Sequence, residues 1–438
     1  MRISSRLSNQ EKLSLLETSG GFGLEKESLR VTMDGRLAQT PHPFSGDRHI
    51  DRDFCENQVE IITDPEGSVR RAVDAVRKYH EYAADTLWNL ESGREMLWPF
   101  SNPPRISGED EIPVAQFTGE LADRTAYRNY LGRKYGKRKM LLSGIHFNYS
   151  YPAGFLRRTF EESGETDFRR FVDALYLKLA RKATMYSWLI VALTAASPLY
   201  DLSLFEENQR EKVRKRKLAT VRSSEFGYWN DFTPTLRYES TEAYVASIQR
   251  YVTEGLLVSP KELYYPVRLK PAGEYSMEAF SGGISHIEIR SLDLNPLSSF
   301  GLMEEDVEFL WLLLCWMTIQ PDYELSEERQ KSAIHNMKKA SALDLEHVIL
   351  RNADGTRSTL TDKALEVLDR MERDLGGGAA LDFQRNKILH RENRYSEIIL
   401  ERYGDDFMKS GIALASEDSR TPRIGRTAGF RDRGAESL

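Results

Sequence analysis

Residues Gly23-Leu24-Glu25-Lys26-Glu27-Ser28-Leu29-Arg30-Val31 set two carboxylates two positions apart in a run that also carries Leu24, Leu29 and Val31. In an extended chain, residues i and i+2 share one face. A half-buried strand therefore places Glu25 and Glu27 side by side; the plainer alternative is a solvent-facing polar edge. Carboxylates among apolar neighbours cost free energy unless they are paired or hold a cation.

The same device recurs downstream. Asp53-Phe54-Cys55-Glu56 leads into Gln58-Val59-Glu60-Ile61-Ile62-Thr63, where Glu60 has apolar residues on both sides. Glu56 shares its parity if the strand is regular, and Asp53 also suits a turn or cap. Ile287-Glu288-Ile289-Arg290 puts an acid and an arginine on one strand face. That pair reads either as a simple ion pair or as a metal-binding Glu beside a phosphate-binding Arg. Ser143-Gly144-Ile145-His146-Phe147-Asn148-Tyr149-Ser150 alternates, with His146, Asn148 and Ser150 on one side. Acidic groups repeated at period two can line one concave, anionic sheet face, which suits a hard divalent ion and the phosphates such an ion holds.

Around these segments the pattern is mixed. Strands are expected over 21–31, 58–63, 142–151, 263–269 and 286–292. Helices are expected over 67–90, 168–196, 303–318, 327–339 and 362–374, the last ended by Gly376-Gly377-Gly378. Strands separated by long helical excursions without regular alternation predict an α+β fold. The dense basic run 210–217 leads into Arg222 and Tyr228, a segment that reads as a mobile loop carrying both to a substrate. From Ser416 to Leu438 the chain is rich in Arg, Gly and Ser and poor in apolar residues, so 1–415 reads as the catalytic domain and 416–438 as a disordered tail.

Composition narrows the classes. The chain has 438 residues, 40% hydrophobic and 29% charged, with a formal net charge of -6. That balance argues against a dedicated nucleic-acid binder. Two cysteines, Cys55 and Cys315, imply no disulfide framework. No secretory h-region or membrane-length apolar run is visible, so a cytoplasmic protein is expected. No Walker loop, dinucleotide fingerprint or His-Glu-x-x-His is present; if ATP is used, carboxylates and metal must hold its phosphates.

These segments, with Met96-Leu97-Trp98-Pro99, Tyr127-Arg128, Glu262-Leu263-Tyr264 and Gly282-Gly283-Ile284 through Asn295-Pro296, resemble the glutamate–cysteine ligase family in order across roughly residues 20 to 320. The resemblance implies a glutamine-synthetase-like fold with an antiparallel sheet forming the cleft. It implies that Glu25, Glu27, Asp53, Glu60, His146 and Glu288 surround Mg2+, with Mn2+ as a substitute. It further implies Arg290 on the transferring phosphate, and Arg128 and Arg222 on substrate carboxylates or phosphate. Phe54, Tyr127, Leu131, Tyr228 and Tyr264 would line the amine pocket, with Asn148 also on substrate. L-Glutamate, L-cysteine and ATP are the implied substrates, and a monomer or small homo-oligomer the implied state. A carboxylate–amine ligase with another acceptor, or a non-catalytic homologue, are the alternatives; Met140 near the amine pocket keeps the acceptor open. The length leaves no room for the ATP-grasp domain of bifunctional relatives, so γ-glutamylcysteine rather than glutathione is the expected product.

Overall fold

The computed structural model describes residues 7–17 and 20–420. Its main sheet is built from β1 (Gly21–Thr32), β2 (Ile50–Arg52), β3 (Gln58–Ile62), β4 (Glu95–Leu97), β5 (Gly144–Ser150), β6 (Val267–Pro271) and β7 (Ile284–Asp293). The order is β2-β3-β1-β5-β7-β6, with β4 beside the far end of β1, and every neighbouring pair is antiparallel. The α+β expectation holds. A separate hairpin, β8 (Ile349–Arg351) with β9 (Arg357–Thr359), was not anticipated; each strand has three residues, too few to show a period.

Strand parity divides the sheet. Phe22 and Leu24 of β1, Phe147 and Tyr149 of β5, and Ile287 and Ile289 of β7 are buried in the main core. Helices Val69–Trp88, Phe168–Thr194 and Glu304–Ile319 supply the other side of that core. Burying one such side chain fully is worth roughly 1.5–3 kcal/mol, so a one-residue register slip, which would turn the whole set outward, is strongly disfavoured. Two of these helices start where a side-chain cap accepts from a first-turn N–H. Ser68 Oγ accepts from Arg71 N at 3.3 Å, so the helix expected from 67 begins after Ser68. Asp167 Oδ1 accepts from Arg170 N at 3.0 Å to open the helix Phe168–Thr194.

The last helix, Phe407–Arg420, runs past the residue where the tail was expected to begin. Asp418 on it lies 2.7 Å from Nε2 of His80, a contact spanning most of the chain and invisible to local composition. The rest of the expected tail, 421–438, lies outside the described residues. Among the described residues no helix is long and apolar enough to cross a membrane.

Candidate active site

Register assembles the acidic face. Glu27 of β1 pairs with Glu60 of β3, and Glu25 with His146 of β5. Asn148 pairs with Glu288 of β7, and Glu288 with Arg268 of β6. The β5–β7 pairing slips between Ile145 and Phe147, at His146. Such bulges re-aim side chains beside functional sites. As a result Glu25, His146 and Glu288 each offer a ligand atom within 4.8 Å of the others. His146 Nδ1 lies 2.9 Å from Glu25 Oε2 and 3.9 Å from Glu288 Oε1, and Nε2 lies 3.8 Å from Glu27 Oε1. Asn148 Nδ2 donates to Glu25 Oε1 at 3.0 Å.

Cations frame this cluster. Arg290 Nη1 donates to Glu288 Oε2 at 2.9 Å, so the ion pair considered from sequence does form. Lys270 Nζ stands 3.3 Å from Glu288 Oε1 and Arg268 Nη1 3.9 Å from Oε2. Neither Lys270 nor Arg268 was assigned a role from sequence. The alternation Val267-Arg268-Leu269-Lys270 was the available signal: it sets both cations on the face opposite Val267 and Leu269, which are buried in the core.

Arg222 enters from the other side. Its Nη1 donates to the Arg290 and Leu292 carbonyls at 2.6 and 3.3 Å, and Nη2 lies 3.4 Å from His146 Nε2. The segment that carries it is anchored, contrary to the mobile loop expected. Asp293 Oδ1 accepts from Thr220 Oγ1 at 3.0 Å, Asp293 Oδ2 accepts from Ser197 Oγ at 2.8 Å, and Arg222 is buried. Arg222, Tyr228, Tyr264 and Arg290 line one small cavity of about 30 Å³.

An aromatic wall adjoins it. Phe54, Leu131 and Tyr264 are buried in one cluster, with Tyr127 and Tyr228 packed against it. The Tyr228 and Tyr264 rings meet edge to face at 4.9 Å. Met140 is buried in the same cluster. Arg128 stands at its rim: its Nε donates to the Asp53 carbonyl, and its guanidinium stacks 4.7 Å over the Phe117 ring.

Residues 5–256 and 250–340 match the model of the glutamate-cysteine ligase family. The chain belongs to that family. It is 35% identical over 425 residues to the glutathione biosynthesis bifunctional protein GshAB of Listeria welshimeri, covering 92% of this chain and 54% of the relative. The bifunctional glutathione synthetase of Pasteurella multocida superposes with a TM-score of 0.77 at 29% identity, over 94% of this chain and 54% of that one. The glutamate–cysteine ligase of Francisella tularensis, solved in complex with AMP, shares the fold with a TM-score of 0.81 at 23% identity, over 92% of this chain and 88% of that one. The chain thus spans about half the length of the bifunctional relatives it matches.

Within this ligase-family site, electrostatics splits the acids into two kinds. Burial penalises the Glu288 charge, yet Arg290, Lys270 and Arg268 hold its carboxyl well below the usual range. Burial and Glu288 push Glu25 up, but His146 and Lys270 outweigh them and leave it below its ordinary value. Burial and the Asp53 charge push Glu27 up to about 8, against Arg222 and Arg290. Burial together with Asp53, Glu25 and Glu27 carries Glu60 well above its ordinary value. Burial and Arg290 depress His146, which favours the neutral imidazole a metal needs. Buried acids crowded enough to hold protons are a charge problem that a bound cation would relieve. Asn148 Oδ1 is also buried without a hydrogen-bond partner among the described residues. Carboxylate oxygens with one imidazole are a donor set that fits Mg2+ or Mn2+.

Two residues of the acidic segments fall outside this set. Glu56 precedes β3 and faces away: it accepts from His42 N at 2.9 Å and Gln116 N at 2.8 Å, so its role is to tie loops together. Cys55 is fully buried, and burial pushes its thiol well above the ordinary value, as a packing residue requires.

Proposed function

We propose that this chain joins the γ-carboxylate of L-glutamate to the amine of L-cysteine at the cost of ATP, making γ-glutamylcysteine. The observation that carries the reading is the adjacency of the Glu25–His146–Glu288 cluster, the Arg290–Arg222 pair and the Tyr228–Tyr264 wall on one sheet face. The glutathione-biosynthesis role of GshAB and the AMP held by the Francisella ligase support it.

The chemistry requires these parts. A carboxylate is a poor acyl donor because its leaving group would be oxide. Attack of the γ-carboxylate oxygen on the γ-phosphorus of ATP forms an O–P bond, breaks the Pβ–O–Pγ bridge and releases ADP. The amine then adds to the acyl carbon, the C–O bond to phosphate breaks, and the amine proton leaves with phosphate or water. Phosphoryl transfer of this kind needs positioning and charge neutralisation more than a protein nucleophile. Glu25, Glu27, Asp53, Glu60, His146 and Glu288 would hold Mg2+ or Mn2+, which when bound neutralises the phosphate chain and fixes its position. Arg290 and Arg222, whose guanidinium groups are held by Glu288 and by backbone carbonyls, present fixed donors to equatorial phosphate oxygens. Arg128 at the rim reaches a substrate carboxylate. Phe54, Tyr127, Leu131, Tyr228 and Tyr264 exclude water from the acyl phosphate and seat the amine, with Asn148 beside the glutamate end.

Met140, buried in the aromatic cluster, leaves room for one variant of this reading, a ligase of the same mechanism with a different amine acceptor. The acyl-phosphate step is tested with L-glutamate carrying ¹⁸O in its γ-carboxylate. Transfer of one ¹⁸O to the released phosphate is expected; unlabelled phosphate would rule the step out.

A further inference from the structure

Glu262 does not belong to the acidic face. It precedes Leu263 and Tyr264, and its carboxylate is wholly buried. Oε1 accepts from Lys134 Nζ at 2.6 Å, from Tyr135 OH at 2.6 Å and from Tyr130 OH at 3.4 Å. Oε2 accepts from Val258 N at 2.7 Å. The first three donors sit on the last two turns of helix Ala122–Tyr135, which also carries Tyr127, Arg128 and Leu131.

The network continues to the third segment of the aromatic wall. Asn230 Nδ2 donates to Tyr135 OH at 3.1 Å and to the Glu262 carbonyl at 2.9 Å, and Asn230 Oδ1 accepts from Tyr264 N at 2.9 Å. The Tyr135 ring meets Tyr264 edge to face at 5.3 Å. Thus the Glu262 carboxylate fastens the helix bearing Tyr127, and Tyr135 and Asn230 extend that joint to the loop bearing Tyr228 and the turn bearing Tyr264. The Tyr264 hydroxyl is itself buried with no hydrogen-bond partner among the described residues. A buried hydroxyl left unsatisfied is costly unless a ligand completes it.

We infer that Glu262 is a positioning residue for the amine substrate, holding Tyr127, Tyr228 and Tyr264 in one arrangement so that the acceptor meets a preformed pocket. The inference rests on the ligase reading above. Glu262 touches neither the phosphate-side cations nor the metal-side acids. Its loss therefore acts first on acceptor binding, through the helix, loop and turn that it joins. A charge buried among donors also makes the joint specific. Removing it leaves Tyr135 and Val258 N unsatisfied, whereas Lys134, partly exposed, can turn to water.

The test compares wild type with E262Q, E262A and Y135F by steady-state ADP release, varying L-cysteine, L-glutamate and Mg-ATP in turn. The expected result is a KM for cysteine raised about tenfold or more in E262A and less in E262Q and Y135F. KM for glutamate and Mg-ATP should stay within about twofold. Amide hydrogen exchange should quicken together over 122–135 and 262–265 and stay slow over 21–32. If E262A does not fold, E262Q and Y135F carry the comparison. Equal rises in all three KM values, or no change in the cysteine value, would overturn the role of Glu262 while the ligase reading stands. A wild-type protein with no cysteine-stimulated ADP release would overturn the ligase reading, and the role of Glu262 toward cysteine with it.

Discussion

Gly144 on β5 lies directly against the Arg222 guanidinium: a Cβ at Gly144 would stand 2.7 Å from Nη2 and nearer still to Cζ. The glycine lets the arginine cross the strand and reach the Arg290 and Leu292 carbonyls. Because the obstructed group is the end of a long side chain, G144A should displace Arg222 rather than unfold the sheet. We expect turnover to fall by about 100-fold, the scale of losing one positioned donor, with the melting temperature lowered only slightly. Wild-type turnover in G144A would show that the seat of Arg222 is not needed.

Arg290 is held by Glu288 from the same strand face. R290A should lower turnover by about 100-fold or more. Lys270 and Arg268 remain to balance Glu288, so the fold should survive. Paired measurements of kcat and urea midpoint check both halves. Unchanged kcat would remove Arg290 from the phosphate.

Without metal, burial and Asp53 push the Glu27 carboxyl up to about 8. A raised carboxyl holds its proton at neutral pH, and a metal that binds it must displace that proton. Affinity for Mg2+ should therefore rise with pH from 6 to 8 and flatten above, gaining up to about tenfold per pH unit for each proton displaced. Calorimetry in buffers of different ionisation heat would count the protons released. E27Q should bind more weakly with a shallower slope; an identical slope in E27Q would assign the proton elsewhere.

His42 provides a pH effect on stability away from the site. Burial, with Arg30 and Arg52, pushes it down to about 4, and both ring nitrogens are buried without hydrogen-bond partners among the described residues. Between pH 4 and its ordinary value of 6.5 the unfolded chain takes up the proton and the folded chain does not. Its contribution is therefore complete above 6.5 and is lost as pH falls toward 4, by an amount on the order of 3 kcal/mol. H42F, which keeps the ring contact to Phe44, should flatten that part of the denaturation profile relative to wild type. Parallel profiles for the two proteins would show that His42 titrates freely.

How much of this was legible follows from the range of the forces involved. Strand parity is local, so Glu25 with Glu27, His146 with Asn148, and Glu288 with Arg290 could be paired from spacing alone. Register is not local. That Glu25 faces His146 and Glu27 faces Glu60 depends on cores built by distant helices. The parity that Glu56 would share with Glu60 in a regular strand fails because the chain turns between Asp53 and Gln58, where Asp53 N donates to the Gln58 carbonyl at 3.1 Å. The 219–228 segment reads as a loop by composition, but its anchor, Asp293, lies some seventy residues away. The last helix was not anticipated for the same reason: its anchor, His80, is remote in sequence. Arg268 and Lys270 were readable from their alternation and were passed over because no acid lies beside them in the chain.

The most direct measurement is ADP release from Mg-ATP and L-glutamate with and without L-cysteine, with the product weighed by mass spectrometry. Cysteine-dependent ADP release together with the mass of γ-glutamylcysteine is the predicted result. ADP release with another amine alone would contradict the acceptor, and no turnover with any amine would contradict the ligase itself.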